Sequence, residues 1–204
     1  MKLFRILCTA AAVSLLAACN VNVIPPTDFT ETRTFDLASP DPIGELPFIV
    51  EVDMFSNECS GRFKMVFREE ANRIAVDDYN RWSMPPGSML TKYLAARFAA
   101  HPGNPGRDNK PVFVVDGSVL NCELNKSLKQ VDLLVHFFIT EHNDESFRIT
   151  GTEGYRIQVE DTTPEAFANG MSKAAAEFAD HVVAVLKETF RKQADEEEAA
   201  RKKK

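Results

Sequence analysis

In VDLLVHFFIT, Val131, Leu133, Val135, Phe137 and Ile139 occupy every second position. Only an extended strand with one face buried puts such a set on one side of the backbone. SFRITGTEGYRIQVE keeps the same period and groups Phe147, Ile149, Tyr155, Ile157 and Val159. The spacer EHNDE is short enough to join these two strands as a hairpin. VFVVDGSVLNCEL reads as the strand before them, with Gly117 as a bulge or kink. Nearer the N-terminus, LPFIVEVDMF alternates Phe48, Val50, Val52 and Met54 against Glu51 and Asp53. GRFKMVFR repeats the pattern with Phe63, Met65 and Phe67, and RIAVDDY adds a short third strand, so these segments predict an antiparallel meander.

Between and after the strands the period changes. PPGSMLTKYLAARFAAH places Met89, Leu90, Tyr93, Leu94 and Phe98 at helical spacing behind prolines suited to a first turn. TTPEAFANGMSKAAAEFADHVVAVLKETF predicts a long amphipathic helix. Thr163 is its N-cap, Pro164 its first residue, and Phe167, Met171, Ala174, Phe178, Val182, Val185 and Thr189 its buried stripe. HPGNPGRDNKP is a loop between helix and strand. The expected fold is therefore α+β: an antiparallel sheet of about six strands with both helices on one face.

The first residues, MKLFRILCTAAAVSLLAA, combine basic Lys2 and Arg5 with an uncharged apolar run. The run falls short of the roughly 20 residues a membrane span needs and fits a secretory signal peptide over 1–18. It ends in Leu16-Ala17-Ala18-Cys19, which resembles the bacterial lipobox. That resemblance implies cleavage before Cys19, a thioether to diacylglycerol, and acylation of the new amine with palmitate-like chains, enough to hold the protein on a membrane. Asn20 stands where inner-membrane retention signals usually carry Asp, which favours the outer membrane, facing the periplasm. Residues 19–33, polar with a Pro-Pro pair, form the lipidated N-terminus and tether; 34–190 form the single domain; 191–204 form a charged helix extension or tail.

The chain carries 24 Lys and Arg against 30 Asp and Glu, and loss of Lys2 and Arg5 leaves it more acidic still. Such a balance argues against nucleic acid as a partner. Of its 4 cysteines, Cys8 leaves with the leader and Cys19 takes lipid. Cys59 and Cys122 remain; in an oxidising compartment they can bridge, or they stay separate thiols with Cys122 in phase with Leu120 and Leu124 on a strand face. No Cys/His spacing suits a metal, and no GxSxG, HExxH, Walker or GxGxxG motif is present. His101 and His142 fall in loops, His136 on the less apolar face of its strand, and His181 beside the buried stripe, so no catalytic pair forms and no cofactor is implied. Phe113, Val115, Leu134 and Phe138 sit opposite the main core phase and can line a lipid groove, although a covering helix or subunit explains them equally well.

DDYNRWSMPPG holds the one tryptophan, Trp82, where the early strands meet the first helix, a position suited to covering one end of the core. The longer run FKMVFREEANRIAVDDYNRWSMPPGSMLTKYLAARF resembles the auxiliary lipoproteins of ABC-type transport systems, the family that includes the Pqi-pathway outer-membrane lipoprotein. Val66-Phe67-Arg68 matches its strand ending in a Tyr-Arg-like pair, with Phe in place of Tyr. Tyr79-Asn80-Arg81-Trp82 matches its Tyr-x-Arg-Trp motif, with Ser83-Met84 replacing the usual residues before proline. The resemblance implies a non-enzymatic lipoprotein that works beside an ABC transporter and an MCE-type protein, moving lipids or hydrophobic compounds between membranes. It implies docking of partner proteins, a ring of identical subunits as an arrangement, lipid as a cargo, and Arg68, Tyr79, Arg81 and Trp82 as fold-defining or partner-facing residues. A structural scaffold lipoprotein of an outer-membrane or cell-wall assembly is the competing function.

Overall fold

The computed structural model describes residues 30–99, 110–142 and 144–201. The leader, Cys19, most of the tether, the loop over 101–109 and the last three lysines lie outside the described residues. In chain order the elements are β1 (Arg33–Phe35), β2 (Ile49–Asn57), β3 (Lys64–Glu70), β4 (Arg73–Trp82), α1 (Pro86–Arg97), β5 (Val112–Asn125), β6 (Gln130–Glu141), β7 (Asp144–Gln158) and α2 (Pro164–Arg201).

The strands form one 7-stranded sheet in the order β1-β4-β3-β5-β6-β7, with β2 also on β5. It is mixed, not antiparallel. The β3–β4, β5–β6 and β6–β7 pairs are antiparallel, whereas β1–β4, β2–β5 and β3–β5 are parallel. The expected meander fails at its first turn. The link after β2 does not reverse the chain: Gly61 (φ 88°) and Arg62 (φ 51°) are left-handed and carry it onward along the same edge of β5. A Cβ on Gly61 would lie 2.6 Å from Val66 Cγ2, so glycine is required there. β2 therefore lines the first part of β5, from Val112 to Val119, and β3 meets its end at Leu124 and Asn125.

Two bulges invert the parity read from the sequence. Pairing of β2 with β5 slips between Val52 and Phe55, so Phe55 is 1% exposed and Met54, expected inside, is 71% exposed. On β5 the register with β6 slips between Val119 and Asn121. Leu120 is thereby turned out, and Phe113, Val115, Val119, Cys122 and Leu124 all reach the core. Phe113 and Val115 are thus core residues rather than a second face, while Leu134 and Phe138 are not part of the core cluster. Gly117 stands opposite Phe55, where the β2 bulge ends, and it is also a close approach, because a Cβ there would lie 2.1 Å from the His136 carbonyl oxygen.

β6 keeps its parity throughout: Val131, Leu133, Val135, Phe137 and Ile139 are all buried. A single apolar cluster joins them to the stripes of both helices. α1 begins against β2, where Gly87 would place a Cβ 2.5 Å from the Phe55 carbonyl oxygen and the Phe55 N–H donates to Thr91 Oγ1 at 2.9 Å. Thr163 caps α2, its Oγ1 accepting the Ala166 N–H at 3.2 Å. Phe167, Met171, Ala174, Phe178, Val182 and Leu186 run along its buried side. Phe178 is the hub, 5.8 Å from the Phe55 ring, 5.6 Å from Phe137 and 6.0 Å from Tyr155.

Candidate functional site

The Tyr-x-Arg-Trp stretch sits at the end of β4, and an aspartate shapes it. Register with β3 jumps from Val66↔Val76 to Lys64↔Arg81, so β4 carries extra residues at this point. Asp77 Oδ1 accepts the N–H groups of Tyr79 (2.8 Å) and Asn80 (2.9 Å), and its Oδ2 accepts the Asn80 side-chain amide at 2.8 Å. This is an Asx turn inside a strand. Burial alone would raise the Asp77 pKa, but these bonds and the nearby Arg33 charge outweigh it and hold the carboxyl below its ordinary value. Asn80 Oδ1 in turn accepts Arg33 Nε at 3.0 Å, and Arg33 Nη1 donates to Glu165 in the first turn of α2 at 2.8 Å. The motif is thereby tied to β1 and α2 together.

The turn separates the motif residues. Trp82, 2% exposed, stands edge-on to Phe167 at 5.0 Å and closes one end of the core. Tyr79 (50% exposed) and Arg81 point outward. Asp77 and Asn80, which the motif pattern leaves as unspecified positions, hold this geometry; an Asp with an Asn a few residues on is a turn signal.

Arg68 goes elsewhere, to the face of the sheet opposite the helices. Its Nη2 donates to Glu123 Oε2 at 2.8 Å, its Nε to Glu123 Oε1, and its Nη1 to the Ala71 carbonyl at 2.9 Å. Glu123 is only 5% exposed, so the two-pronged pair is what makes burial of its charge tolerable. The hydrogen bond to Glu123 raises the Arg68 pKa, leaving the guanidinium charged throughout.

Around that pair the cross-strand ladder is polar. Glu123 stands opposite Asp132, and Asp132 opposite Arg156. Asn121, Asn125, Gln130, Leu128, Leu134 and Gly154 are among the further residues that line a basin of about 510 Å³. Further along, Asp116 lies opposite Phe138, whose ring carries the Arg148 guanidinium at 4.4 Å and meets His136 edge-on at 4.8 Å. Burial first, then the charge of Asp53, raises the Asp116 pKa. His136 Nδ1 is 2.7 Å from Thr152 Oγ1 on this same face. The surface offers hydrogen bonds, charges of both signs and a few apolar spots, a set suited to holding a partner. Beyond the sheet, the outer edges of β7 and of β4 before its last residues pair with no strand among the described residues. Both cysteines are free thiols here: Cys59 Sγ donates to Asn57 Oδ1 at 3.3 Å, and Cys122 Sγ lies 3.7 Å from Met171 Sδ.

A family model described as the ABC-type transport auxiliary lipoprotein component matches residues 61–183, a span that holds Arg68, Tyr79, Arg81 and Trp82. No curated protein matches the chain. Among solved structures, the crystal structure of protein XCC0632 from Xanthomonas campestris, assigned to the DUF330 family, superposes with a TM-score of 0.56 at 14% identity and covers 80% of this chain and 99% of its own. The crystal structure of an uncharacterized protein superposes with a TM-score of 0.58 at 9% identity, covering 76% and 99%. At such identities these two establish the fold.

Proposed function

The chain belongs to the ABC-type transport auxiliary lipoprotein component family, and from that premise we propose that it is a docking subunit of an ABC/MCE-type system that moves lipids or hydrophobic compounds between membranes. In this reading the protein is exported, cleaved before Cys19, anchored in the outer membrane by its acyl chains, and turned to the periplasm. It does its work by holding proteins rather than by catalysis.

The observation that supports docking is the split between the two sides of the sheet. Both helices pack into one apolar cluster, and the opposite side keeps the basin around Arg68–Glu123 and the Asp116–Phe138–Arg148 group. Tyr79 and Arg81 stand outward at the end of β4. Mixed polar and apolar surface with accessible Tyr and Arg is the composition that protein interfaces favour. The unpaired edge of β7 can accept a further strand, from a partner or from a second copy in a ring.

Crosslinking in the native envelope, recovery of the lipidated protein and mass spectrometry of the associated proteins and lipids test the reading. Recovery of an MCE-type protein or an ABC transporter is the expected result. Recovery of cell-wall or outer-membrane assembly proteins alone would replace the transport role with a scaffold.

A further inference from the structure

The junction of β2 and β3 on β5 holds chemistry that docking does not use. Asn57 is aligned with Val119, and the Glu58 N–H donates to the Val119 carbonyl at 3.0 Å; Cys59 is the next residue. On β5, Leu120 is turned out, so the next core-facing residue after Val119 is Cys122. Parallel pairing resumes only at Phe67↔Leu124. Cys59 and Cys122 therefore flank the same gap in the ladder, on the same side of the sheet. Cys122 is 3% exposed within the apolar cluster, and Cys59 packs against that cluster half-buried. Burial pushes the Cys59 thiol up to about 11 and the Cys122 thiol well above its ordinary value; after burial, Cys59 is the largest influence on Cys122.

We propose that Cys59 and Cys122 are a redox pair that closes to a disulfide across this gap, pinning the turn that leaves β2 to the C-terminal part of β5. The pairing rests on the export reading for its oxidant, a disulfide-bearing thiol oxidase of the envelope. Cys59, the more accessible thiol, attacks the oxidant's disulfide as a thiolate; one oxidant sulfur leaves and takes up the proton that Cys59 lost. Cys122 turns from Met171 and attacks the Cys59 sulfur of the mixed disulfide, and the second oxidant sulfur leaves with the second proton. Two electrons pass to the oxidant, which ends as a dithiol. Because both thiols are poorly ionised at neutral pH, the closure is slow without a catalyst.

The test uses the purified full chain, reduced and then incubated with oxidised glutathione and a catalytic amount of a thiol–disulfide isomerase, followed by peptide mapping without reductant. The expected product is a Cys59 peptide linked to a Cys122 peptide within one molecule, with the melting temperature raised by roughly 5–10 °C over the reduced chain. Cys59→Ser should melt with the reduced wild type and gain nothing from oxidation, which separates loss of the bridge from loss of folding. Separate glutathione adducts or untouched thiols overturn the proposal. A link that forms with purified protein but is missing from acid-quenched, alkylated cells upholds the pair and overturns the export reading instead.

Discussion

The two faces of the sheet obey different rules. On the helix side Phe55, Phe137, Phe178 and Tyr155 close around one another, and residues of all longer strands except β4's outer run share one cluster. On the other side, neighbours across strands are Glu123 with Asp132, Asp132 with Arg156, and Asp116 with Phe138. The first face is fixed by shape, since the interior is packed to crystal-like density and each ring has one place to go. The second is fixed by pairing of charges and leaves valences unspent. The docking reading draws on both: a packed face that keeps its shape, and one that still has bonds to offer.

Substitutions can break this contrast in graded steps. Trp82→Ala removes a buried ring from the Phe167 contact and should cost about 3–5 kcal/mol in chemical denaturation. A loss within experimental error would show that the ring plugs nothing. Arg68→Ala tests the one place where the open face behaves like a core. It strands the Glu123 carboxylate and should cost about 2 kcal/mol, less than for a fully buried pair because Arg68 is partly solvated. Adding Glu123→Ala should recover part of that loss.

Smaller effects carry a sign in pH. Asp77→Ala removes the Asx turn and should cost about 1 kcal/mol at neutral pH, by analogy with a lost helix cap. The folded pKa of Asp77 is lowered, so its contribution is present above the unfolded pKa and is lost as pH falls through the folded value; wild type and variant should converge in acid. Asp116 runs the other way. Its folded pKa is raised, so ionisation opposes folding above that pKa and the penalty lifts as pH falls through it. Asp116→Asn should therefore stabilise by about 0.5 kcal/mol at neutral pH and by nothing in acid, as melts at both pH values would reveal. Smallest in stability are Tyr79→Ala and Arg81→Ala, each expected within about 0.5 kcal/mol of wild type. If the outward end of β4 docks a partner, crosslinked yield falls while the melting temperature stays.

What could be read in advance depended on whether a pattern is local. β6 announces its buried face because nothing interrupts its alternation, and α2 announces its stripe because period and cap agree. Trp82 lies buried against Phe167, a place that its position between the early strands and the first helix already suggests. Bulges defeat the same reasoning: one extra residue near Asp53 exchanges Met54 for Phe55, and Leu120 does the same for all of β5 before it. A count of every second residue cannot know where a partner strand will skip. Pairing partners are also invisible locally: alternation alone makes β2 and β3 hairpin neighbours, and nothing in Arg33–Phe35 marks the three-residue β1. At the candidate site, Arg68 stood out in the sequence, whereas Glu123, its partner on a distant strand, did not.

The parallel pairing of β2 with β5 also orders events in time. β5, β6 and β7 are contiguous in sequence and can zip together as soon as they exist, as can the β3–β4 hairpin. β2 has no such neighbour; its pairing in the sheet is with β5, which follows only after β3, β4 and α1 have been made. A chain synthesised from its N-terminus therefore carries β2 without its partner strand until β5 is made, and joining the two closes a long loop. A folding phase seen at Phe55 that lags the signals of β6 and β7 is the expected kinetic mark of this topology, and stopped-flow measurements with a probe at each place would check it.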